Sequence, residues 1–239
     1  MPARFEDYVL PQFRGPSIDN LIYDDLGEAV LKIHNERFKG VLTIKDKTKY
    51  QLNQPIISPN TPRILSYHAI LQELTDGNIK VLTPEQAVQH WDHIPDKKST
   101  YADTDAIAVY PNAGPNEALR KIVLGILGKK ETRVPLLVSG LGVEKADNEY
   151  GFIFVGTDYH AFTEAPFLTK DQQIVYDPKK GLIIASEGIH VWTPDDQSGI
   201  RGVCRDRGDV LVCRYEYLLD SYGNGQVQVI QYPKGRMQD

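Results

Sequence analysis

The fold depends on one stretch near the middle of the chain, DAIAVYPNAGPNEALRKIVLGILGKKETRVPLLVSG, residues 105 to 140. Its first segment, DAIAVYP, and its last, RVPLLVSG, are nearly continuous apolar runs of strand length. Between them, NEALRKIVLGILG has the apolar spacing of an amphipathic helix, and Gly128 closes it. Two strands that are apolar throughout and joined by a helix are typical of parallel strands covered on both faces. The stretch therefore predicts a central βαβ unit.

The residues before this unit have mainly helical periodicity. SIDNLIYDDLGEAVLKIHNERFKG, residues 17 to 40, begins with Ser17, a favourable N-cap residue, and ends at Gly40. RILSYHAILQEL, residues 63 to 74, has a second helical pattern, and the turn sequence TDGN follows it. We therefore expect a mainly helical and loop region over residues 1–100.

After the central unit the apolar period changes to two. VPLLVSGLGV and YGFIFVGTDY, joined by a turn-rich segment, predict an antiparallel hairpin. Six further strand-like runs, QQIVYD, GLIIASE, IHVWTP, IRGVCRD, DVLVCRYEYL and QVQVIQYP, predict an antiparallel meander. The predicted class is α+β, with a helical N-terminal half, one central βαβ unit and an antiparallel β-rich C-terminal part. Residues 101–239 form the second region, and the two regions are compatible with one continuous domain.

Composition excludes several classes of protein. With 41% hydrophobic and 25% charged residues in a chain of 239, the protein is expected to fold as an ordinary globular domain. The formal net charge of -5 disfavours a nucleic-acid binder. No apolar run approaches the ~20 residues that cross a bilayer, and the N-terminus lacks the apolar core of an export signal, so we expect a cytoplasmic protein without membrane contact. Cys204 and Cys213 flank a turn, and whether they pair depends on the strand register.

The densest set of chemically able side chains lies in QAVQHWDHIPD, residues 86 to 96. A capping box at Thr83 starts this helix, and its apolar arc includes Trp91. His90 and His93 lie three residues apart beside that arc, a spacing at which two imidazoles chelate one metal ion. A site needs a third ligand from elsewhere, so the metal hypothesis competes with that of a solvated helix flank.

A catalytic hypothesis attaches to GTDYHAFTEAPF, residues 156 to 167, which ends a strand. Asp158 and His160 face the same way in an extended segment, so the carboxylate can orient the imidazole as a general base, with Glu164 nearby. The alternative is a polar strand terminus. In the predicted hairpin, Asp158 and His160 lie at the opposite sheet edge from the SGLG loop, residues 139 to 142. The catalytic candidates and this loop therefore cannot belong to one site.

A ligand-binding hypothesis follows from the βαβ topology. In a parallel unit the loops that leave both strands are neighbours, and ligands prefer that edge of the sheet. PNAGPN also leads into a helix N-terminus, which favours an anion. The expected contributors to a site for a small anionic molecule are Asn112, Gly114, Asn116, Ser139, Gly140 and Gly142. Gly and Asn are also what tight turns use without any ligand.

Arginines 201, 205, 207 and 214 with tyrosines 215, 217 and 232 are compatible with a basic, aromatic surface on the late strands that meets RNA or single-stranded DNA. The commoner alternative is plain solvent exposure of the arginines. Asp103 and Asp105, which precede the first central strand, are interpreted as solvating its entry.

The sequence does not decide whether the protein is an enzyme. The favoured function is non-catalytic binding or assembly with a protein partner or a second copy through the β-rich C-terminal surface; the alternative is a small hydrolase or transferase for an anionic molecule at the two loops.

Overall fold

The fold is known from a computed structural model, which describes residues 16–42, 51–56, 60–95, 100–208, 210–213, 218–219 and 225–233. Helices make up 26% and strands 35%, so α and β structure are mixed. The α-helices in the described residues are α1 (Asp25–Arg37), α2 (Thr61–Thr75), α3 (Pro84–Gln89) and α4 (Glu117–Ile126). The strands are β1 (Ser17–Asn20), β2 (Ile79–Val81), β3 (Ala102–Val109), β4 (Leu136–Ser139), β5 (Gly142–Lys145), β6 (Phe152–Val155), β7 (Ala161–Glu164), β8 (Gln172–Asp177), β9 (Gly181–Ala185), β10 (Ile189–Trp192), β11 (Ile200–Asp206), β12 (Val210–Val212) and β13 (Gln228–Gln231). None of the helices in these ranges has the length and apolar character needed to span a membrane.

A curled sheet of eight strands forms the centre, in the order β7-β4-β3-β11-β12-β10-β8-β9. Neighbouring strands run antiparallel, except that β10 and β12 are parallel. β3 lies inside this sheet, and all eight of its residues are buried. Ile107 and Val109 pack towards α4, while Ala106 and Ala108 pack into a second cluster on the other face.

The central stretch forms the predicted strand, helix and strand, but the parallel βαβ unit is wrong. β3 and β4 are adjacent and antiparallel, with Val109 opposite Leu136 and Ala106 opposite Ser139. The connection through α4 therefore returns to the end of the sheet from which it left. Both strands are apolar because both faces are covered, and burial on two faces carries no information about strand direction.

The prediction of a helical N-terminal half is also wrong. Residues 17–20, predicted as the start of a helix, form β1, which pairs with β13 from the far end of the chain. The helix begins later, where the side chain of Asp24 caps it by accepting from Gly27 N–H at 2.9 Å. Gly27 is required here, since a Cβ would lie 2.1 Å from the carbonyl oxygen of Ile22. A long-range strand pairing therefore overrides the local cap signal at Ser17.

The other two helices of this region agree with the sequence. α2 covers the predicted segment, and Asp76 ends it in the left-handed conformation. The capping box at Thr83 is confirmed, with reciprocal bonds to Gln86 of 3.0 and 3.1 Å. α3 is shorter than predicted and continues as one turn of 3-10 helix, Trp91–His93, with Trp91 buried.

Each of the six late strand-like runs contains a strand, but they do not form one meander. β8 to β12 join the central sheet, whereas β13 lies between β1 and β2 in a separate three-stranded sheet. This sheet brings strands of the two predicted regions together. Cys204 lies opposite Val212, so the next residue, Cys213, faces the other side of the sheet; both thiols are buried and unpaired. The strand register therefore keeps Cys204 and Cys213 from forming a disulfide.

Candidate functional site

The SGLG loop and the segment after β6 are in contact. β4 pairs with β7, which places Ser139 opposite Ala161. Thr157 Oγ1 donates a hydrogen bond to the carbonyl of Gly140 at 2.6 Å. Gly140 has φ +68°, and a Cβ there would lie 2.8 Å from the carbonyl oxygen of Tyr159. The expectation that Asp158 and His160 lie at the opposite edge from this loop is therefore wrong.

The reason is a local rearrangement of the predicted hairpin. β5 and β6 do form an antiparallel pair, with Gly142 opposite Val155, but they make a two-stranded sheet of their own. The chain then returns as β7 beside β4. The turn-rich bridge between the two apolar runs predicts the hairpin of β5 and β6. It does not indicate that the first run is divided into two strands, of which β4 pairs with β3 and β7 and only β5 pairs with β6.

The PNAGPN loop lies at the other end of the central strands, against residues 197–200. Asn112 and Asn116 donate side-chain hydrogen bonds to the carbonyls of Gln197 at 3.3 Å and Ile200 at 3.2 Å. A Cβ on Gly114 would lie 2.3 Å from Ser198 Oγ. Because β3 and β4 are antiparallel, the loops do not meet, and the expected six-residue grouping is divided. The side-chain amides of Asn112 and Asn116 therefore bind the backbone at the start of β11.

His90 and His93 are neighbours, as the spacing predicts. Their ring centroids lie 6.4 Å apart at an interplanar angle of 74°. Across the ranges that the structure describes, no third His, Cys, Asp or Glu side chain completes a group able to hold a metal ion. Burial, with a smaller effect of His93, lowers the pKa of His90. The metal hypothesis stays a prediction without structural support.

The predicted catalytic residues do not form a triad. His160 Nδ1 bonds to the carbonyl of Thr157, which lies beside Asp158 in the chain. Glu164 is exposed on β7, opposite Leu136. Asp158 instead lines a cavity, and so does Gly142 from the set of ligand-binding candidates. One residue from each hypothesis therefore contributes to the same concave surface.

This cavity has a volume of about 600 Å³ and opens to solvent between the helices and the small sheet. One wall consists of α1 and α2, and the other of β5, β6 and the segment through Tyr159. Arg37 and Glu73 form an ion pair of 2.7 Å, with side chains 44% and 57% exposed. Glu144 and Asp158 add two further carboxylates to the wall, so acidic groups outnumber basic ones.

A layer of buried polar groups lies behind the helical wall. Ser66, which lines the cavity, bonds to His34 Nδ1 at 2.9 Å. His34 Nε2 donates to the carbonyl of Leu42 at 3.1 Å, so Nδ1 accepts the proton of the serine hydroxyl. Burial lowers the pKa of His34 to about 4, and the ring is therefore neutral near pH 7.

A second buried pair, His68 and Asp105, lies behind Gln72 and Tyr159 of the wall. His68 Nδ1 is 3.5 Å from Asp105 Oδ2, with the side chains only 4% and 2% exposed. Burial raises the pKa of Asp105 to about 8, and burial lowers the pKa of His68 to about 4. Both groups are therefore predominantly neutral near pH 7, with the proton on the carboxyl group.

This pair was missed at the level of sequence. Asp103 and Asp105 are buried, at 8% and 2% exposure, so their interpretation as solvent-facing strand entry is wrong. The sequence contains one signal for this burial. Side chains alternate between the two faces of a strand, so Asp103 and Asp105 lie on the same face as the apolar Ile107. Likewise, His68 lies among apolar residues of α2, where a buried imidazole requires a polar partner.

The predicted basic, aromatic surface is not formed as expected. Arg201 and Arg205 are buried, at 4% and 1% exposure, whereas Arg207 is exposed. Tyr232 is partly buried and accepts a hydrogen bond from Gln86 Nε2 at 2.8 Å. Arg214, Tyr215 and Tyr217 lie outside the described residues.

No protein-family model matches this chain, and neither a curated protein nor a solved structure matches it. Function is therefore inferred from the cavity and its surroundings alone.

Proposed function

We propose that the protein binds a small polar molecule in the cavity between α1, α2 and the β5–β6 sheet. The observation that carries this proposal is the cavity itself, about 600 Å³ in volume. Sites for small molecules are typically concave and measure roughly 300 to 1,000 Å³. The wall combines apolar surface from Phe38, Ala69 and Val143 with hydroxyl, amide and carboxylate groups, as ligand sites usually do.

The charges of the wall support a ligand that donates hydrogen bonds or carries a positive charge. Arg37 is the basic residue of the described lining, and its charge is compensated by Glu73. Glu144 and Asp158 then leave an excess of negative charge. Opposite charges attract, so an amine fits this wall better than the anionic molecule that the loop sequences predict.

Blocking the cavity tests this proposal. Ala69 faces the cavity from α2, and Ala69→Phe adds a ring inside it without removing any hydrogen bond. We expect a thermal-shift screen of amines, polyols and nucleosides to identify a ligand that stabilises the wild type by one degree or more, and Ala69→Phe to abolish the shift. Leu74→Phe, at a residue of the same helix that is 44% exposed, is the matched control and should retain the shift.

The proposal fails if a full screen gives no stabilisation, or if a ligand stabilises the wild type and Ala69→Phe equally. The first result means that the cavity binds none of these classes. The second means that binding occurs elsewhere on the protein.

A second candidate function, assembly with another copy of the chain, is supported by the edge of the central sheet. β7 is the terminal strand on one side, and all four of its residues are exposed. Phe162 is 40% exposed, with Lys129 Nζ 5.0 Å from its ring centroid. Exposed edge strands with apolar side chains readily pair with other chains.

Strand pairing across a twofold axis through β7 predicts a concentration-dependent dimer. We expect light scattering to detect the dimer at high concentration, and Phe162→Lys to give a monomer because it places two like charges across the axis. The exposed Ile184→Lys, on the opposite edge strand β9, is the control and should still dimerise. A wild type that is monomeric at every concentration contradicts this assembly.

A further inference from the structure

The hydroxyl group of Ser66, which lines the cavity from α2, has its only hydrogen directed into the protein. His34 Nε2 donates to the carbonyl of Leu42, so His34 Nδ1 is left to accept the Ser66 hydrogen at 2.9 Å. Burial, with smaller effects of Arg63 and Arg37, lowers the pKa of His34 to about 4, so Nδ1 stays an acceptor near pH 7. Towards the cavity, Ser66 Oγ therefore offers lone pairs only.

The hydroxyl groups of the opposite wall are arranged in the same way. Thr157 Oγ1 donates to the carbonyl of Gly140 at 2.6 Å, and this bond uses its only hydrogen. The phenol of Tyr159 is hydrogen-bonded to Thr157, and because the Thr157 hydrogen is already used, the phenol is the donor. The three hydroxyl groups among the described lining residues therefore all present lone pairs to a ligand.

The charged side chains of the lining add acceptors and leave two negative charges. Arg37 and Glu73 neutralise each other in their ion pair, and the carboxylates of Glu144 and Asp158 remain. In the ranges that the structure describes, no three His, Cys, Asp or Glu side chains form a group able to hold a metal ion. The acidic groups are therefore spread along the wall, which fits an extended organic dication better than a metal ion.

We propose that the cavity is specific for a small organic diamine in its doubly protonated form, and that Ser66 and Thr157 select its N–H groups. This proposal rests on the proposed function and names the class of its ligand. A primary ammonium group has three donors and no acceptor, which complements hydroxyl oxygens that offer only lone pairs. Two such groups suit acceptors on opposite walls. His34 is a positioning residue, because it sets the direction of the Ser66 hydrogen.

Selection by hydrogen bonding differs from attraction by charge alone. A quaternary trimethylammonium group has the same charge as a primary ammonium group but no N–H donor. The cavity, about 600 Å³ in volume, has room for the added methyl groups, so size does not exclude a quaternary compound. A comparison of the two kinds of compound therefore measures what the hydroxyl groups contribute.

Isothermal titration calorimetry with hexamethylenediamine and with hexamethonium, its bis(trimethylammonium) analogue, tests this selection near pH 7 at constant ionic strength. We expect the wild type to bind the diamine at least about tenfold more tightly, because only the diamine makes charge-assisted hydrogen bonds. Ser66→Ala and Thr157→Val each remove one hydroxyl acceptor, and each should reduce this preference by about threefold. Affinity for hexamethonium, measured in the same variants, reports whether the cavity is intact.

Two further variants separate selection from structural damage. Thr169→Val removes a hydroxyl that donates to the carbonyl of Pro166 outside the cavity, so this matched control should keep the wild-type preference. His34→Leu removes the acceptor of the Ser66 hydrogen and frees that hydrogen to turn towards the ligand. We expect this variant to lose preference as Ser66→Ala does, with unchanged affinity for hexamethonium; a merely structural role of His34 would lower both affinities together.

Three results overturn the proposal. Equal affinities of the wild type for the two compounds exclude selection by the hydroxyl groups, and so does a preference that both Ser66→Ala and Thr157→Val leave unchanged. Absence of saturable diamine binding up to about 10 mM excludes a diamine as the ligand. Each of these results leaves the proposed function standing, because binding of other molecules is measured separately by the thermal shift with Ala69→Phe.

Discussion

The free energy of unfolding is expected to reach a maximum near pH 6.5. Three buried groups make the largest contributions to this pH dependence, since the pKa values of His34 and His68 are lowered to about 4 and that of Asp105 is raised to about 8. Unfolded His and Asp titrate near about 6.5 and 3.9. Between pH 4 and 6.5 the unfolded chain holds two extra histidine protons and the folded chain one extra aspartate proton. Stability therefore rises there by about 1.4 kcal/mol per pH unit.

Above pH 6.5 only the aspartate difference remains. The folded protein still binds a proton that the unfolded chain has lost, so stability falls by about 1.4 kcal/mol per unit until the pH passes the folded pKa of Asp105. Asp105→Asn removes the ionisable group in both states. We expect this variant to gain about 4 kcal/mol at pH 7 and to show no decline at higher pH.

Urea unfolding at about pH 5, 6.5 and 8 measures both effects. Asp158→Asn, which makes the same substitution at an exposed residue, is the control and should keep the wild-type maximum. A wild-type stability that does not decline between pH 6.5 and 8 contradicts the assignment of a proton to buried Asp105.

Arg205→Ala is expected to destabilise the protein by about 3–5 kcal/mol. Arg205 is 1% exposed on β11, and its guanidinium donates to Gln228 Oε1 and Thr100 Oγ1, both at 3.0 Å. Gln228 belongs to β13, so this side chain joins the central sheet to the three-stranded sheet. Its removal leaves a cavity and takes a donor from two buried acceptors.

Arg205→Met distinguishes packing from hydrogen bonding. Methionine keeps most of the volume but no donor, so we expect a cost of about 2 kcal/mol. Arg207→Ala, at an exposed residue of the turn that follows β11, should change the free energy by less than about 0.5 kcal/mol. Denaturant unfolding of the three variants gives the comparison, and equal costs at Arg205 and Arg207 mean that Arg205 does not bridge the sheets.

The sequence predicts elements better than it predicts their partners. Local rules located α2, the capping box of α3, the strands β3 and β4 and the late strands, because caps and apolar periods act within a few residues. Strand direction and pairing come from contacts far apart in the chain. β4 illustrates this. It runs antiparallel to both β3 and β7, although its continuous apolar sequence is equally typical of a buried parallel strand.

The candidate site was predictable only in part. Asp158 and Gly142 were selected for chemistry and turn geometry, and both line the cavity. The contribution of α2 was not predictable, because Gln72 and Ala69 have ordinary helical side chains whose role comes from what packs opposite them. His68 and Asp105 are distant in the sequence, and only the packing of α2 on β3 brings them together.

The position of β13 has a consequence for how the chain folds during synthesis. β1 and β2 flank β13 and do not touch each other as neighbouring strands, yet β13 follows β1 by more than two hundred residues. The first sheet of the protein to be translated is therefore among the last to close. Until the ribosome has released β13, the edges of β1 and β2 are unpaired, and folding is slowed by the search for this distant contact.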